Sequence, residues 1–376
     1  MSKKRSIFEE VGQDAPLERE VAAIGVIDAG RGGARGAIRL WLMLLFALVV
    51  VMILVGGLTR LTDSGLSITE WNLVTGAVPP MSQAIWEAEF AKYQTLCEFS
   101  VQNFSMTLAE FKTIYWWEWG HRQLGRFIGV VWALGFLGFY LTGKTPAGWT
   151  GRLLLLGALG GAQGAIGWWM VSSGVNECRV DVSSLRLAVH LGLAFVILGV
   201  IAWFVMMLGR EERELLQARR GKEAKLLGLS TGLLHFAFLQ ILLGALVAGI
   251  DAGRFYTDWP LMGGQIFPER IADFGAWYED PGPVQFIHRV SGYLLLGFGV
   301  AVWLRGRASA HGATRAAFNA VFVVLLGQMA MGIYTVVTAA PWQVAILHQG
   351  LAIVLWVLIL RARFLSLYPH AQSVRG

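Results

Sequence analysis

Eight long apolar segments, approximately 38–58, 121–143, 152–172, 185–208, 226–250, 286–304, 316–338 and 343–361, dominate this chain of 376 residues. A helix needs roughly 20 apolar residues to cross a ~30 Å hydrocarbon layer at ~1.5 Å per residue. Backbone amides in lipid find no water, so each span must satisfy its hydrogen bonds internally; barrel strands would be half as long and alternating. The segments therefore predict an all-α membrane protein with eight transmembrane helices. A composition 55% hydrophobic and only 15% charged excludes an ordinary soluble domain.

Lysine and arginine predict the orientation. With the amino terminus inside, about two thirds of the 31 basic residues fall in the two tails and the even-numbered connections. Arg210, Arg213, Arg219, Arg220, Lys222 and Lys225 crowd one short connection, which is placed in the cytoplasm. The net charge of +6 thus reports topology, and no nucleic-acid partner is expected. Both termini are expected in the cytoplasm. The first ~36 residues mix basic and acidic groups without an apolar core or a small-residue cleavage site, so a flexible cytoplasmic tail is expected rather than a signal peptide. Cys97 and Cys178 both map to extracytoplasmic connections; that compartment permits a disulfide, but their separation in space cannot be read from the sequence.

The two halves of the chain resemble each other. "GHRQLGRFIG" opening span two parallels "IHRVSGYLLLG" opening span six, and "AVHLGLAFVILG" in span four parallels "ILHQGLAIVLWV" in span eight. "GGAQGAIGWWMVSSG" in span three parallels "GQMAMGIYTVV" in span seven. Four spans per repeat preserve orientation, so two tandem four-helix bundles related by a pseudo-twofold axis along the membrane normal are expected. The expected divisions are a tail (1–37), a first bundle (38–209), a basic linker (210–225), a second bundle (226–363) and a tail (364–376). Within 60–117, "SQAIWEAEFAKYQTLCEF" and "TLAEFKTIYWWEW" predict amphipathic helices lying at the outer interface.

His121, His190, His288 and His348 each lie near the start of an even-numbered span, at one depth near the outer face. Ionisable groups inside a bilayer are costly and are retained mostly for function. One histidine alone would be a helix-packing residue. Four in duplicated contexts predict two bis-imidazole heme sites, His121 with His190 and His288 with His348. Arg122, Arg126 and Arg289 are candidates for the heme propionates, whose geometry a guanidinium matches; snorkelling to lipid headgroups is the alternative. Glu118 lies three residues before His121, whereas the second half carries Gln285 at that place. This asymmetry predicts that the first half is the reactive site and the second an electron relay, with an interfacial carboxylate as the alternative. Gly160, Gly161, Gly164 and Gly167 allow close approach of a flat group or another helix. His235 is expected to serve packing or hydrogen bonding, His311 and His370 no function, and Asp251 and Asp258 to cap loops.

The string "GGLTRLTDSGLSITEWNLVTGAVPP", followed by "EFKTIYWWEWGHRQLGRFIG", resembles the heme A synthase family, in its alphaproteobacterial and mitochondrial branch. The likeness runs from span one through span eight. It implies oxidation of the C8 methyl of heme O to a formyl group, by successive hydroxylation and loss of water, giving heme A for terminal oxidases. It further implies that Glu118 is the essential glutamate, that His121 and His190 ligate the iron of the substrate heme, and that His288 and His348 ligate a permanent heme b. A homo-oligomer, the heme O-forming farnesyltransferase and cytochrome oxidase assembly factors are partners the resemblance implies; an electron-transfer partner is also needed. Some bacterial members carry a cysteine pair in the first outer loop, where this chain has only Cys97, so no redox role is expected of it. Two alternatives use the same histidines: a quinol-linked bis-heme cytochrome without substrate oxidation, and a repeat-built transporter with histidine proton sites.

Overall fold

The structure, a computed structural model, describes residues 34–268 and 276–370. Most of the expected amino-terminal tail and the last six residues of the carboxy-terminal one lie outside the described residues. Among the described residues there are eleven α-helices and no strand: α1 (Arg35–Leu61), α2 (Gln83–Tyr93), α3 (Cys97–Val101), α4 (Leu108–Leu141), α5 (Thr150–Asn176), α6 (Ser184–Leu208), α7 (Glu212–Arg220), α8 (Ala224–Gly249), α9 (Pro281–Gly306), α10 (Gly312–Val337) and α11 (Trp342–Leu367). Eight of these, all but α2, α3 and α7, are long and apolar enough to span a membrane, with mean hydropathy between 1.3 and 2.9 over their most apolar stretches. The chain is an integral membrane protein.

The segment between the first two spans differs from expectation. "TLAEFKTIYWWEW" does not form a separate helix; it is the opening of the 34-residue helix α4. The Thr107 hydroxyl accepts from Glu110 N at 3.4 Å, and Glu110 Oε2 accepts from Thr107 N at 2.8 Å, a reciprocal cap that starts the helix here. No proline follows to stop it, and its buried Phe111 and Tyr115 pack under Tyr93 and Trp86. The other predicted amphipathic stretch breaks into α2 and α3, which lie over this end of α4 as a cap.

The seam of the bundle follows from periodicity. Ile38, Leu42, Leu45, Val49 and Ile53 recur one or two turns apart on α1 and are all buried. They join Phe195, Leu198 and Ile201 of α6 and Trp356 and Leu360 of α11 in one apolar cluster. Because lipid tails are as apolar as leucine, such a seam stabilises by close packing rather than by dehydration. In the first half α1 packs on α4 and α6, and α5 lies against α6 and α4. In the second, α8 packs on α9 and α11, and α10 joins α9 to α11. The halves meet chiefly through α6, which touches both α8 and α11. Half of the most apolar stretch of α6 is buried, against 6% for α4, so α6 is central and α4 peripheral.

Polar contacts also tie the halves. Trp356 Nε1 donates to Phe195 O at 3.0 Å, and Gln349 Nε2 donates to Ile53 O at 2.8 Å. Arg60 ion-pairs with Asp63 (2.8 Å), Asp181 (3.4 Å) and Asp251 (2.9 Å), so Asp251 bridges the two halves instead of capping its own loop. Asp258 does cap its loop, accepting from Gly263 N and Gly264 N.

The question left open by the cysteines is answered by proximity: Cys97 at the start of α3 and Cys178 in the α5–α6 connection are disulfide-bonded, with Cα atoms 5.2 Å apart. Intact protein is therefore expected to take up no maleimide, and to take up two equivalents per chain after reduction under denaturing conditions; labelling without reductant would contradict the bond.

Next to this bond, Glu98 is 3% exposed, and its Oε2 has no partner. Burial pushes its carboxyl up to about 8, partly offset by the Tyr93 hydroxyl. An acid raised by folding favours the fold below its unfolded value and loses that contribution as pH rises through its folded value. The cap is thus expected to loosen between about pH 4.5 and about pH 8. A Glu98→Gln variant should remove this pH dependence, read by limited proteolysis of the cap; an unchanged profile would exclude Glu98 as its source.

Candidate functional site

The four predicted histidines occupy equivalent places. His190, His288 and His348 lie six, seven and six residues after the first residue of α6, α9 and α11. His121 stands thirteen residues into α4 because that helix starts early. Each stands in an even-numbered span, in the part that follows the connection from the span before it, so all four belong to the same end of the molecule. His121 lies within charge–charge range of His190, and His288 within that of His348, the two pairings expected.

Every one of these rings rests on a glycine of the span before it. A Cβ at Gly167 of α5 would stand 2.8 Å from His190 Cε1, and one at Gly244 of α8 3.2 Å from His288 Cε1. At Gly332 of α10 it would stand 3.0 Å from His348 Cε1, and at Gly56 of α1 3.1 Å from His121 Nε2. Any side chain there would displace the imidazole, so the glycines bring two helix backbones close enough to hold a ring between them. Four residues before three of these glycines stand Gln163, Gln240 and Gln328. Their Nε2 atoms donate to the main-chain oxygens of His190, His288 and His348 at 3.0, 3.0 and 3.2 Å.

Glu118 is 2% exposed and completely engaged. Its Oε2 accepts from Ser67 Oγ and from Ile68 N, both at 2.8 Å. Its Oε1 accepts from Arg122 Nη2 at 2.6 Å and Nε at 3.1 Å. Arg122, one turn further along α4, also donates to Ile68 O and Glu70 O. The pair therefore staples the loop after α1 onto the helix that carries His121. In the second half Gln285, also 2% exposed, donates to Tyr256 O at 3.0 Å. Arg289 donates to the oxygens of Tyr256, Asp258 and Leu261. One architecture thus recurs with a carboxylate in one site and an amide in the other.

The remaining predicted residues are placed as follows. Arg126 donates to Asn72 O and Leu73 O, which leaves its Nη1 buried without a partner; Arg289 Nε is likewise unpartnered. Of the glycines on α5, Gly167 receives a histidine, while nothing lies within 4 Å of a Cβ at Gly160, Gly161 or Gly164. His235 Nδ1 lies 2.8 Å from Thr231 O within its own helix. His311 Nδ1 contacts His370 O.

These residues fit heme. Among the described residues no three His, Cys, Asp or Glu side chains converge to cage a bare metal ion. A porphyrin brings four nitrogens of its own and asks the protein for two axial ligands; each half holds two histidines within charge–charge range of each other. His348 Nδ1, Arg126 Nη1 and Arg289 Nε are buried polar atoms left without partners at these sites. Sequence reasoning missed the glutamines and, apart from Gly167, the glycine seats. Their signal was present: "QGAIG", "QILLG" and "QMAMG" precede His190, His288 and His348, and "MILVG" precedes His121.

Residues 39–360 match the COX15-CtaA family, described as cytochrome oxidase assembly protein. The chain is 67% identical to a heme A synthase of Ruegeria sp. (strain TM1040), over 99% of each chain. It is 65% identical to a heme A synthase of Ruegeria pomeroyi over 100% of each chain. A third relative, a heme A synthase of Dinoroseobacter shibae, is 62% identical over 100% of this chain and 99% of its own.

Removing one member of a buried ion pair strands the other, at about 3–5 kcal/mol. Glu118→Ala should therefore release the loop, and amide exchange at Ile68 should accelerate at least about tenfold. Exchange at wild-type rates would mean that Glu118 does not anchor it.

Proposed function

The chain belongs to the COX15-CtaA family of cytochrome oxidase assembly proteins, and from that premise we propose that it is a heme A synthase, an oxidoreductase converting heme O to heme A. The observation that carries the reading is the duplicated seat, an imidazole on a glycine, found four times at one end of a chain whose relatives over their full length are heme A synthases. Heme O is the substrate of the first half, between His121 and His190. A heme b held by His288 and His348 is the resident cofactor of the second. The first assignment is supported by Glu118, which has only Gln285 as its counterpart.

Heme supplies the iron chemistry by which the C8 methyl becomes a formyl group. The chain's own residues hold, orient and shield. His121 and His190 position the substrate ring, and the apolar faces of α4 and α5 take its farnesyl tail. Arg126 Nη1 and Arg289 Nε, the donors without partners, are the ones open to propionates. Arg122 is committed to Glu118 and two loop oxygens, so it positions the acid more than it binds a propionate. Glu118 is the candidate catalytic acid–base group: all its contacts are donors, and a proton released by the substrate would be taken at Oε1 or Oε2.

The protein would lie in the bacterial inner membrane with both termini cytoplasmic and the histidines toward the outer face, an orientation the basic 210–225 linker supports. The helix neighbours of each half support two tandem bundles, 38–209 and 226–363, related by a pseudo-twofold axis. The heme O-forming farnesyltransferase, oxidase assembly factors and a further copy of the chain are candidate partners.

The test is expression with a source of heme O and identification of the hemes extracted. Glu118→Gln keeps an acceptor for Ser67 and Ile68 but takes up no proton; heme A should fall by at least about 10²-fold while the Soret band of bound heme persists. An unchanged yield would remove the carboxylate from the chemistry, and wild-type protein free of heme would remove the site.

A further inference from the structure

Three of the four rings share a contact that the fourth lacks. The amide nitrogen of Gln163 lies 3.2 and 3.4 Å from the two ring nitrogens of His190, and that of Gln240 lies 3.1 and 3.5 Å from those of His288. Gln328 Nε2 lies 3.5 Å from His348 Nε2. The same atoms donate to the main-chain oxygens of these histidines, so each amide is anchored on the backbone with its nitrogen against one ring. The amide oxygens of all three are buried without a partner, so each amide carries a spare acceptor on the residue that lies beside a ring whose far nitrogen would bear an N–H if iron were bound.

In α1 the equivalent position, four residues before Gly56, is Met52. Its thioether offers neither a hydrogen-bond donor nor a strong acceptor, and its Cε points at Gly125 of α4, 3.0 Å from where a Cβ would be. His121 also sits differently: Nε2 is its atom nearest the seating glycine, where the other three rings present Cε1. Partners of this kind fix ring orientation and raise ligand basicity, and their loss weakens metal binding by roughly 10–100-fold.

Resting on the assignment of His121 and His190 to the substrate heme, we propose that His121 is the exchangeable ligand of that site, and that Gln163, Gln240 and Gln328 are positioning residues that make the other three imidazoles permanent. His190 would stay on the iron, and His121 would leave with its own lone pair, so that no proton or electron changes hands; His121 shares α4 with Glu118, which stands three residues before it. The second half, with glutamine behind both histidines, holds its heme closed to added ligands.

The experiment is a carbon monoxide titration of the reduced full-length protein loaded with heme O and heme b, alongside the ferric absorption and spin-resonance spectra. Carbon monoxide should bind to the heme O fraction alone. Met52→Gln, which gives His121 the amide its counterparts have, should weaken that binding about tenfold or more, whereas Met52→Leu should not. Gln163→Met should raise the ferric high-spin signal by loosening His190. Binding to fully loaded Met52→Gln within about twofold of wild type would overturn the proposal. Should Met52→Gln fail to load, a Gln163→Met protein with wholly low-spin heme and wild-type affinity would overturn it equally. Absence of heme O from wild-type protein would instead overturn the assignment of the site, which heme extraction reports separately.

Discussion

The contact between an imidazole and a glycine of the neighbouring helix is what the rest of this molecule is arranged around. A histidine inside a membrane is tolerated only where protein, and not lipid, surrounds its ring. At Gly56, Gly167, Gly244 and Gly332 the missing side chain lets a second helix come near enough to supply that surrounding. Each glycine lies on the span before its histidine, so consecutive spans bring the two together. Within each half the two histidines so seated lie within charge–charge range of each other.

A second constraint is electrostatic. Glu118 and Arg122 are charged groups at the margin of the apolar region, where an unpaired charge is expensive. Both carboxylate oxygens and most of the guanidinium are used, and beyond each other their partners are main-chain groups and the Ser67 hydroxyl of the loop that follows α1. The charges therefore shape the pocket's wall at the same time as they satisfy each other. In the second half Arg289 grips its loop in the same manner, and Gln285 contributes an amide where the first half has an acid. The shared frame is structural, and the two halves differ in charge within it, Glu118 against Gln285 and Arg126 against Tyr293.

The halves are joined at several depths. Trp356 reaches Phe195 and Gln349 reaches Ile53 within the spans, while Arg60 gathers Asp63, Asp181 and Asp251 at the end where the histidines lie. Gln349 directly follows His348, so α11 carries both that histidine and an anchor to α1, whose Gly56 seats His121. The two histidine pairs are consequently linked through packed helices.

Much of this was legible beforehand. Eight spans follow from length and hydropathy, because a bilayer admits few alternatives, and the four histidines stand out because lipid penalises them. The duplication exposed both histidine pairs and the contrast of Glu118 with Gln285. Capping chemistry ran α4 back to Leu108 where a separate helix was expected, because Thr107 and Glu110 begin a helix that nothing downstream interrupts. The disulfide between residues 97 and 178, the reach of Asp251 to Arg60 and the attachment of Arg122 to loop carbonyls waited on tertiary structure. Periodicity and charge along a chain determine which segments are helices and which side of a membrane they prefer. Which atoms meet across helices depends on how closely the backbones approach, and only the packed structure decides that.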